Sequence, residues 1–441
     1  MIEFNNHFIY GVYMKIQRCK GFRDLSPNEM ESFRLIEETF RNTCLNWGYK
    51  EVRTPTIEYL HLFTSTGTLT PGLLNRVYSF LDWDGWSGER VVLRPDGTIP
   101  VARMYIDSMA DKALAKLFYI TNIFIFEETG KENREKWQCG IEIIGAGSAL
   151  ADVELISIAI EILRNLKCGQ IEMKLSHAGV IKALLAALGL NHEAQTRLFD
   201  RILDGDTTAL SQIQPEKSVL GKTIINLLEL KGRSTGQLEN LKSLYSAELP
   251  ELKEPLENFI SIANLLEIMD IDYKIDMNTG RGFEYYTGII FHLSVNGQYV
   301  LGGGRYNALI PFMSGKDVPA CGFALYFDRL VSLINPSELS KATGQENILI
   351  KVDPVKPETV KTGFALTESI HKDGSKAEIH LGTHEPDVYT WNIVVKKDST
   401  FSVVNQVSRQ KYTAENIEEV LKLLKHERVN KSRTTKRSSS R

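Results

Sequence analysis

The chain has 441 residues, of which 43% are hydrophobic and 24% are charged, and its formal net charge at pH 7 is −3. This length and apolar content predict two or three domains with a large buried core. The small negative charge provides no general attraction to nucleic acid, for which a basic surface is typical.

The cysteines indicate a reducing compartment. They are odd in number, scattered and without a C-x-x-C spacing: Cys19, Cys44, Cys139, Cys168 and Cys321. This pattern is typical of reduced thiols and argues against a zinc site or a disulfide framework. No apolar run approaches the roughly 20 residues that span a bilayer, and the N-terminus lacks a secretory signal pattern. The sequence therefore predicts a cytoplasmic protein with no metal, no cofactor and no membrane partner.

The first strong element is a long amphipathic helix. Residues 1–13 precede a second methionine, Met14, and are either a start-site extension or a short ordered arm. Residues 26–29, Ser-Pro-Asn-Glu, form a capping box with proline at the first helical position, and apolar residues then recur at helical spacing. Gly48 stands where a left-handed C-cap belongs. A strand is predicted over 49–59, in which Pro55 favours an edge or interface position.

The central part of the chain alternates strands with helical stretches. Ala151 to Leu166 is predicted to be a helix, and residues from about 178 to 266 a helical insertion, because leucine and isoleucine recur there at helical steps. A further helix is predicted to begin near Gly322. Strands are predicted at 76–81, 90–94, 117–127, 138–145, 272–276, 284–294 and 298–304. The pattern favours an antiparallel sheet backed by helices within one large domain, 14–335.

The C-terminal part reads as a smaller domain. Polar and helix-breaking residues cluster around 335–344 and predict a linker. Residues 346–428 then predict a small α/β domain with helices over 358–371 and 415–426. The last stretch, 429–441, is basic and rich in serine, so it is predicted to be a disordered tail.

Four segments of the large domain resemble the class II histidyl-tRNA synthetases. They are LRPDGT (93–98), QCGIEIIG (138–145), RGFEYYTG (281–288) and GGGRYN (302–307). Taken singly, each has an ordinary structural explanation, such as a cross-strand pair, a surface ion pair or a turn. The resemblance implies an α+β fold in which a class II synthetase-like antiparallel sheet is flanked by helices. It also implies the helical insertion, a degenerate anticodon-binding-like C-terminal domain and a homodimer core built on the helix and strand around Pro55.

The resemblance also implies a histidine-binding pocket. Gln138 and Glu142 lie an even number of residues apart on one predicted strand, so they should project from the same face. In the family, residues at the matching positions hold the three polar groups of histidine. By this resemblance Asp96, Thr98 and Gln138 would hold the ammonium, Glu142, Tyr285 and Tyr286 the imidazole, and Arg281 the carboxylate. Asp96 replaces a glutamate of the synthetases, which retracts its carboxylate by about 1.5 Å.

Other positions depart from the synthetases where ATP would bind. Ile125 stands in place of an arginine that grips the ATP phosphates, and Tyr326 in place of a glycine that leaves room for adenine. The loop 127–136 carries four acids against three bases, whereas the family has an arginine-rich loop there. In the C-terminal domain, the segment between the strands at 376–382 and 391–398 is too short for the family's basic helix.

These departures predict a regulator rather than an adenylating enzyme. The family includes non-synthetase relatives, the regulatory subunits of ATP phosphoribosyltransferase. The prediction is a non-catalytic subunit that activates a short-form ATP phosphoribosyltransferase catalytic subunit and conveys feedback by L-histidine at the first step of histidine biosynthesis, as a homodimer core within a hetero-oligomer. It includes no catalytic residue in this chain and no tRNA binding. The alternatives are an active histidine–tRNA ligase and a stand-alone binding module for RNA or another protein.

Overall fold

The computed structural model describes most of the chain, in two compact units, Met1–Pro336 and Ser337–Arg441. The described residues are 17–65, 76–82, 88–127, 129, 133–203, 231–232, 234–247, 249–280, 285–334, 347–353, 356–381 and 389–426. The predicted N-terminal extension at 1–13, the linker around 335–344, the tail at 429–441 and Arg281 therefore lie outside the described residues.

The first unit is built from helices around two sheets. Its described helices are α1 (Pro27–Asn46), α2 (Leu60–Ser65), α3 (Thr98–Ser108), α4 (Ala149–Asn165), α5 (Ala178–Ala186), α6 (His192–Leu203), α7 (Thr235–Tyr245), α8 (Lys253–Ile268), α9 (Leu309–Ser314) and α10 (Phe327–Val331). Its described strands are β1 (Lys50–Glu51), β2 (Ile57–Tyr59), β3 (Ser79–Asp82), β4 (Glu89–Leu93), β5 (Ala115–Phe124), β6 (Glu135–Ile144), β7 (Ile171–His177), β8 (Lys231–Gly232), β9 (Lys274–Asp276), β10 (Ile289–Val295), β11 (Gln298–Arg305) and β12 (Ala320–Tyr326).

The main sheet has nine strands in the order β1-β5-β6-β12-β11-β10-β7-β9-β8, and a three-stranded sheet has the order β2-β4-β3. The central run from β5 to β7 is antiparallel throughout, whereas β1 pairs with β5 and β7 with β9 in parallel. The α+β fold predicted from the sequence, a mainly antiparallel sheet flanked by helices, is confirmed.

The predicted start and end of α1 are confirmed. The Ser26 hydroxyl accepts from the Glu29 backbone amide at 3.3 Å, and the Glu29 carboxylate accepts from the Ser26 amide at 2.9 Å. Both bonds satisfy donors that have no partner within the helix. Gly48 follows the helix with φ +80°, a left-handed conformation that glycine adopts without strain. The strand predicted over 49–59 is shorter than expected, because it breaks around Pro55 into β1 and β2.

The helix predicted to begin near Gly322 is wrong. Residues Ala320–Tyr326 form the strand β12, which pairs with β6 on one side and β11 on the other, and helix α10 begins only at Phe327. Glycine is needed at position 322 because the Glu142 carboxyl group of β6 lies over it. The strand β7 was not predicted, although it pairs with β10 on one side and with β9 on the other. Where the insertion is described, it consists mainly of helices α5 to α8.

A buried ion pair fixes the chain where β11 ends. The Arg305 guanidinium contacts the Asp152 carboxylate of α4 at 3.0 Å, and their side chains are 4% and 1% exposed. The same guanidinium donates to the backbone oxygens of Ala146 at 2.9 Å and Ser148 at 3.2 Å. The pair therefore ties β11 to the N-terminal end of α4.

Removal of one partner of this pair should be costly, because the other charge would remain buried and uncompensated. We expect Asp152→Ala to lower the free energy of unfolding by about 3–5 kcal/mol. The matched control is Asp107→Ala, which removes a 59%-exposed partner of Arg103 and should cost about 1 kcal/mol or less. Urea unfolding at fixed protein concentration measures both variants, and equal losses would contradict the argument.

The second unit contains a five-stranded sheet in the order β14-β13-β15-β16-β17. Its strands are β13 (Asn347–Lys351), β14 (Lys376–Ile379), β15 (Trp391–Val395), β16 (Phe401–Asn405) and β17 (Lys411–Ala414), with the helices α11 (Pro357–Lys372) and α12 (417–426). Strand β17 was not predicted. The sequence predicts that the family's basic helix is missing between β14 and β15. Most of this segment, 382–388, lies outside the described residues. Among the helices that the structure describes, none is long and apolar enough to cross a membrane.

Candidate functional site

A cavity of about 330 Å³ opens over the central strands of the main sheet. Its described walls come from β6, β11, β12, the start of α3 and the segments around Arg76 and Tyr285. They are Phe63, Arg76, Val77, Pro95, Asp96, Thr98, Ile99, Ile125, Gln138, Tyr285, Tyr286, Tyr299, Gly302, Tyr306, Gly322, Phe323, Ala324 and Tyr326. The cavity therefore brings together most residues that the sequence singled out.

Strand register places Gln138 and Glu142 on one face of β6, where Gln138 lines the cavity and Glu142 contacts two lining residues, Gly322 and Tyr306, without being among the described lining residues itself. Glu142 lies opposite Gly322 and Gln138 lies opposite Tyr326 across the β6–β12 ladder. A Cβ atom at Gly322 would stand 2.0 Å from Glu142 Oε2, so the carboxyl group occupies the space that any side chain at 322 would need. The predicted common face of Gln138 and Glu142 is confirmed.

Asp96 and Thr98 line the cavity where α3 begins. Asp96 Oδ2 accepts from the backbone amides of Thr98 at 2.8 Å and Ile99 at 3.2 Å. Gln138 Oε1 accepts from the Gly97 amide at 3.1 Å, which ties the turn to β6. Both bonds of Asp96 go to the same oxygen, so Oδ1 accepts neither of them. Burial raises the pKa of Asp96 to about 6, although its two backbone bonds act in the opposite direction.

Glu142, next to the cavity, is only 1% exposed. The Tyr306 hydroxyl donates to its Oε2 atom, whereas Oε1 has no hydrogen-bond partner among the described residues. The nearby Tyr285 hydroxyl likewise lacks a partner in the described part of the chain. Burial raises the pKa of Glu142 to about 8. Buried polar atoms are nearly always hydrogen-bonded in native proteins, so these two neighbouring atoms require partners from outside the described residues.

The raised pKa of Glu142 predicts a pH dependence of stability. Between the ordinary carboxyl pKa of 4.5 and the folded value of about 8, the folded chain holds a proton that the unfolded chain has lost. Stability therefore falls as pH rises through this window. We expect the free energy of unfolding of the wild-type chain to fall by on the order of 2–4 kcal/mol between pH 5 and pH 8. Glu142→Gln should abolish this fall. Urea unfolding of the ligand-free chain at several pH values measures this slope, and an unchanged slope in the variant would contradict the assignment.

The two predicted tyrosines also line the cavity. The rings of Tyr285 and Tyr286 meet edge to face with centroids 5.2 Å apart, and Tyr285 packs against Tyr306 at 5.2 Å. The Lys182 ammonium donates to the Tyr286 backbone oxygen at 2.7 Å and so positions this segment. A Cβ atom at Gly304 would stand 2.9 Å from the Tyr286 ring, so glycine is needed beneath it.

Aromatic rings occupy the end of the cavity where β11 and β12 meet. Tyr326 lines the cavity beside Tyr299, with centroids 5.4 Å apart. The Tyr299 hydroxyl lies over Gly302, where it would be 2.0 Å from an added Cβ atom. Arg329 is engaged by the same group, since it donates to the Tyr299 backbone oxygen at 3.0 Å and lies 4.8 Å from the Tyr326 ring centroid.

Ile125 lines the cavity with an aliphatic side chain. Arg134 lies across the hairpin, where its backbone oxygen accepts from the Ile125 amide at 2.8 Å. Its guanidinium instead stacks on Phe126 at 4.5 Å and donates to the Glu127 backbone oxygen at 2.8 Å. Arg134 is not among the described residues that line the cavity, so it does not replace the cation missing at position 125.

Several polar residues in or beside the cavity were not predicted from the sequence as site residues. Tyr119 of β5 accompanies Gln138, to which its hydroxyl donates at 3.3 Å. Tyr306 bonds to Glu142, and Tyr299 and Arg76 line the outer parts. The glycines at 97 and 140 make room for the Tyr119 ring, because an added Cβ atom at either position would stand within 2.3 Å of it. They were the sequence feature that could have indicated a large side chain here. Nothing in the local sequence pointed to Arg76.

The chain is similar to two kinds of protein. The family model for histidyl-tRNA synthetase matches residues 21–330. An ATP phosphoribosyltransferase regulatory subunit from Dehalococcoides mccartyi is 47% identical over 93% of this chain and 99% of its own. A histidine–tRNA ligase from Archaeoglobus fulgidus is 35% identical over 72% of this chain and 76% of its own.

A solved structure supports the same relationship. An ATP phosphoribosyltransferase regulatory subunit/histidyl-tRNA synthetase from Bacillus halodurans superposes with a TM-score of 0.72 and 25% identity, over 86% of this chain and 96% of its own. The 47% identity to the regulatory subunit extends over nearly the whole chain, whereas the match to the ligase is weaker and shorter. The chain therefore belongs to the family of ATP phosphoribosyltransferase regulatory subunits, among the proteins related to histidyl-tRNA synthetase.

Proposed function

We propose that this chain is a non-catalytic subunit that activates a short-form ATP phosphoribosyltransferase catalytic subunit and conveys feedback inhibition by L-histidine. The catalytic partner joins ATP to phosphoribosyl pyrophosphate in the first step of histidine biosynthesis. The name of its relative from Dehalococcoides mccartyi supports the regulatory role. The proposed assembly is a hetero-oligomer with a homodimer of this chain at its core, and it works in the cytoplasm.

One observation supports a retained amino-acid pocket most strongly. Two buried polar atoms lack partners among the described residues: the hydroxyl of Tyr285, which lines the cavity, and Oε1 of Glu142, which lies next to it beside Tyr306. An imidazole ring can donate an N–H to the Glu142 oxygen and can accept from the Tyr285 hydroxyl. In this proposal Asp96, Thr98 and Gln138 hold the ammonium group, and Tyr286 packs beside the ring. Arg281 stays a prediction as the partner of the carboxylate.

The ATP end of the cavity supports a regulator rather than a ligase. Adenylate formation requires a fixed cation near the α-phosphate, where charge develops. The Ile125 side chain cannot form a hydrogen bond there, and the adjacent rings of Tyr326 and Tyr299 line the cavity. An arginine beside the cavity, Arg329, would favour the alternative of an active histidine–tRNA ligase, but its guanidinium is already engaged by these two rings.

Feedback requires histidine to bind one state of the assembly better than another, because a ligand with equal affinity for both shifts nothing. The experiment that tests the proposal is phosphoribosyl-ATP formation by the short catalytic subunit, with and without this chain, across a histidine titration. Activation that histidine reverses is expected. A catalytic subunit whose rate is indifferent to this chain would refute the proposal.

A further inference from the structure

We propose that Arg76, in addition to the predicted Arg281, binds the carboxylate of the amino acid in the cavity. The inference rests on the proposed histidine-binding role of the same cavity and adds a residue that determines specificity. Among the described residues that line the cavity, Arg76 is the one that carries a positive charge. A zwitterionic amino acid brings an ammonium group, for which the cavity offers Asp96, and a carboxylate, for which it offers Arg76.

The backbone places Arg76 beside the position where the cation of the ATP site is missing. The Phe126 amide donates to the Arg76 backbone oxygen at 2.7 Å, so this segment runs next to the one that bears Ile125. Arg76 and Ile125 both line the cavity. The chain thus carries a positive charge at the same wall, but supplies it from a neighbouring segment rather than from position 125.

The Arg76 side chain is available for a ligand. Its Nε atom donates to the Phe126 backbone oxygen at 3.4 Å, which is long for a hydrogen bond. It forms no ion pair with any described residue, and the residue is exposed at the mouth of the cavity. No hydrogen bond joins its Nη groups to the described residues, and a guanidinium can bind a carboxylate through two parallel hydrogen bonds.

The other arginines near the cavity are engaged elsewhere. Arg329 donates to the Tyr299 backbone oxygen at 3.0 Å and stacks on two rings. Arg134 stacks on Phe126 and donates to the Glu127 backbone oxygen. Either would have to give up these contacts in order to reach a ligand, whereas Arg76 gives up one weak bond.

The test compares L-histidine with L-histidinol, in which an alcohol replaces the carboxylate. Calorimetry measures the binding of both to the full-length chain and to Arg76→Ala, Arg76→Lys and Arg90→Ala. Arg90 is the matched control, because it is an exposed arginine of β4 that bonds to Ser79 at 3.3 Å and does not line the cavity. We expect Arg76→Ala to weaken histidine binding roughly 10- to 100-fold and to leave histidinol binding unchanged.

Arg76→Lys should fall between the wild-type chain and Arg76→Ala, because it keeps the charge without the paired donors. Equal losses for both ligands would indicate a structural role and overturn the proposal. It would also be overturned if Arg281→Ala, and not Arg76→Ala, abolished the preference for histidine. If Arg76→Ala kept the wild-type affinity for histidine and the assembly kept its histidine feedback, the role of Arg76 would be refuted, whereas the histidine-binding function would stand. A wild-type chain that binds neither ligand would refute the histidine-binding function as well.

Discussion

Glu142→Ala is expected to weaken L-histidine binding by roughly 100-fold or more and to remove the histidine response of the assembled transferase. The proposed partner of the imidazole N–H is the Glu142 carboxyl group, which is 1% exposed and has one oxygen without a partner among the described residues. Without this acceptor, the bound imidazole would carry an N–H donor with no hydrogen-bond partner at a buried position. A site built around a hydrogen bond loses far more on its removal than an apolar contact would.

Two measurements check this expectation. Calorimetry gives the histidine affinity, and the histidine titration of phosphoribosyl-ATP formation gives the response of the assembly. The matched control is Asp107→Ala, which removes an exposed acid of α3 that does not line the cavity. Glu142→Gln keeps the shape of the side chain and should lie between the wild-type chain and Glu142→Ala. Wild-type affinity in Glu142→Ala would place the histidine site outside this cavity.

The second large effect concerns adenylation. We expect histidine-dependent exchange of pyrophosphate into ATP to run at least roughly 10²–10³-fold below that of an intact histidyl-tRNA synthetase assayed in parallel. The physical reason is the missing donor at position 125, since the loss of one group that stabilises transition-state charge costs about this factor. The rings of Tyr326 and Tyr299 add a steric obstacle to the base.

Two variants separate the causes of this loss. Tyr326→Gly removes a ring without adding a cation, and the double variant Ile125→Arg with Tyr326→Gly supplies both. We expect calorimetry with ATP to detect tighter binding in the double variant than in Tyr326→Gly. The wild-type chain itself provides the decisive outcome. Exchange at the rate of the intact synthetase would make the chain a ligase and contradict the regulatory function.

Part of the site could be predicted from short stretches of sequence. Gln138 and Glu142 belong to one strand, so their spacing alone decides that they share a face. Asp96 and Thr98 belong to one turn, in which the Asp96 carboxylate accepts a hydrogen bond from the Thr98 backbone amide at 2.8 Å. In each case the controlling contacts span a few residues. Local residue order was therefore sufficient.

The wrong prediction at Gly322 has the opposite cause. Glycine and alanine have low strand propensity, yet residues 320–326 form a strand, because two neighbouring strands pair with them and Glu142 fills the space above Gly322. Tertiary context overrides local preference at such positions. The chain order around Gly322 does not reveal that a carboxyl group 180 positions earlier, Glu142, lies over it.

The sequence by itself determined the residue types of the pocket and the absence of an arginine at position 125. Only the tertiary structure decided which side chains surround that position. Arg76 reaches the wall of Ile125 through a backbone pairing between segments 50 residues apart, and Tyr299 reaches Tyr326 across adjacent strands. Contacts of this kind depend on strand order and register, which arise from the packing of the whole sheet and leave no local pattern in the chain.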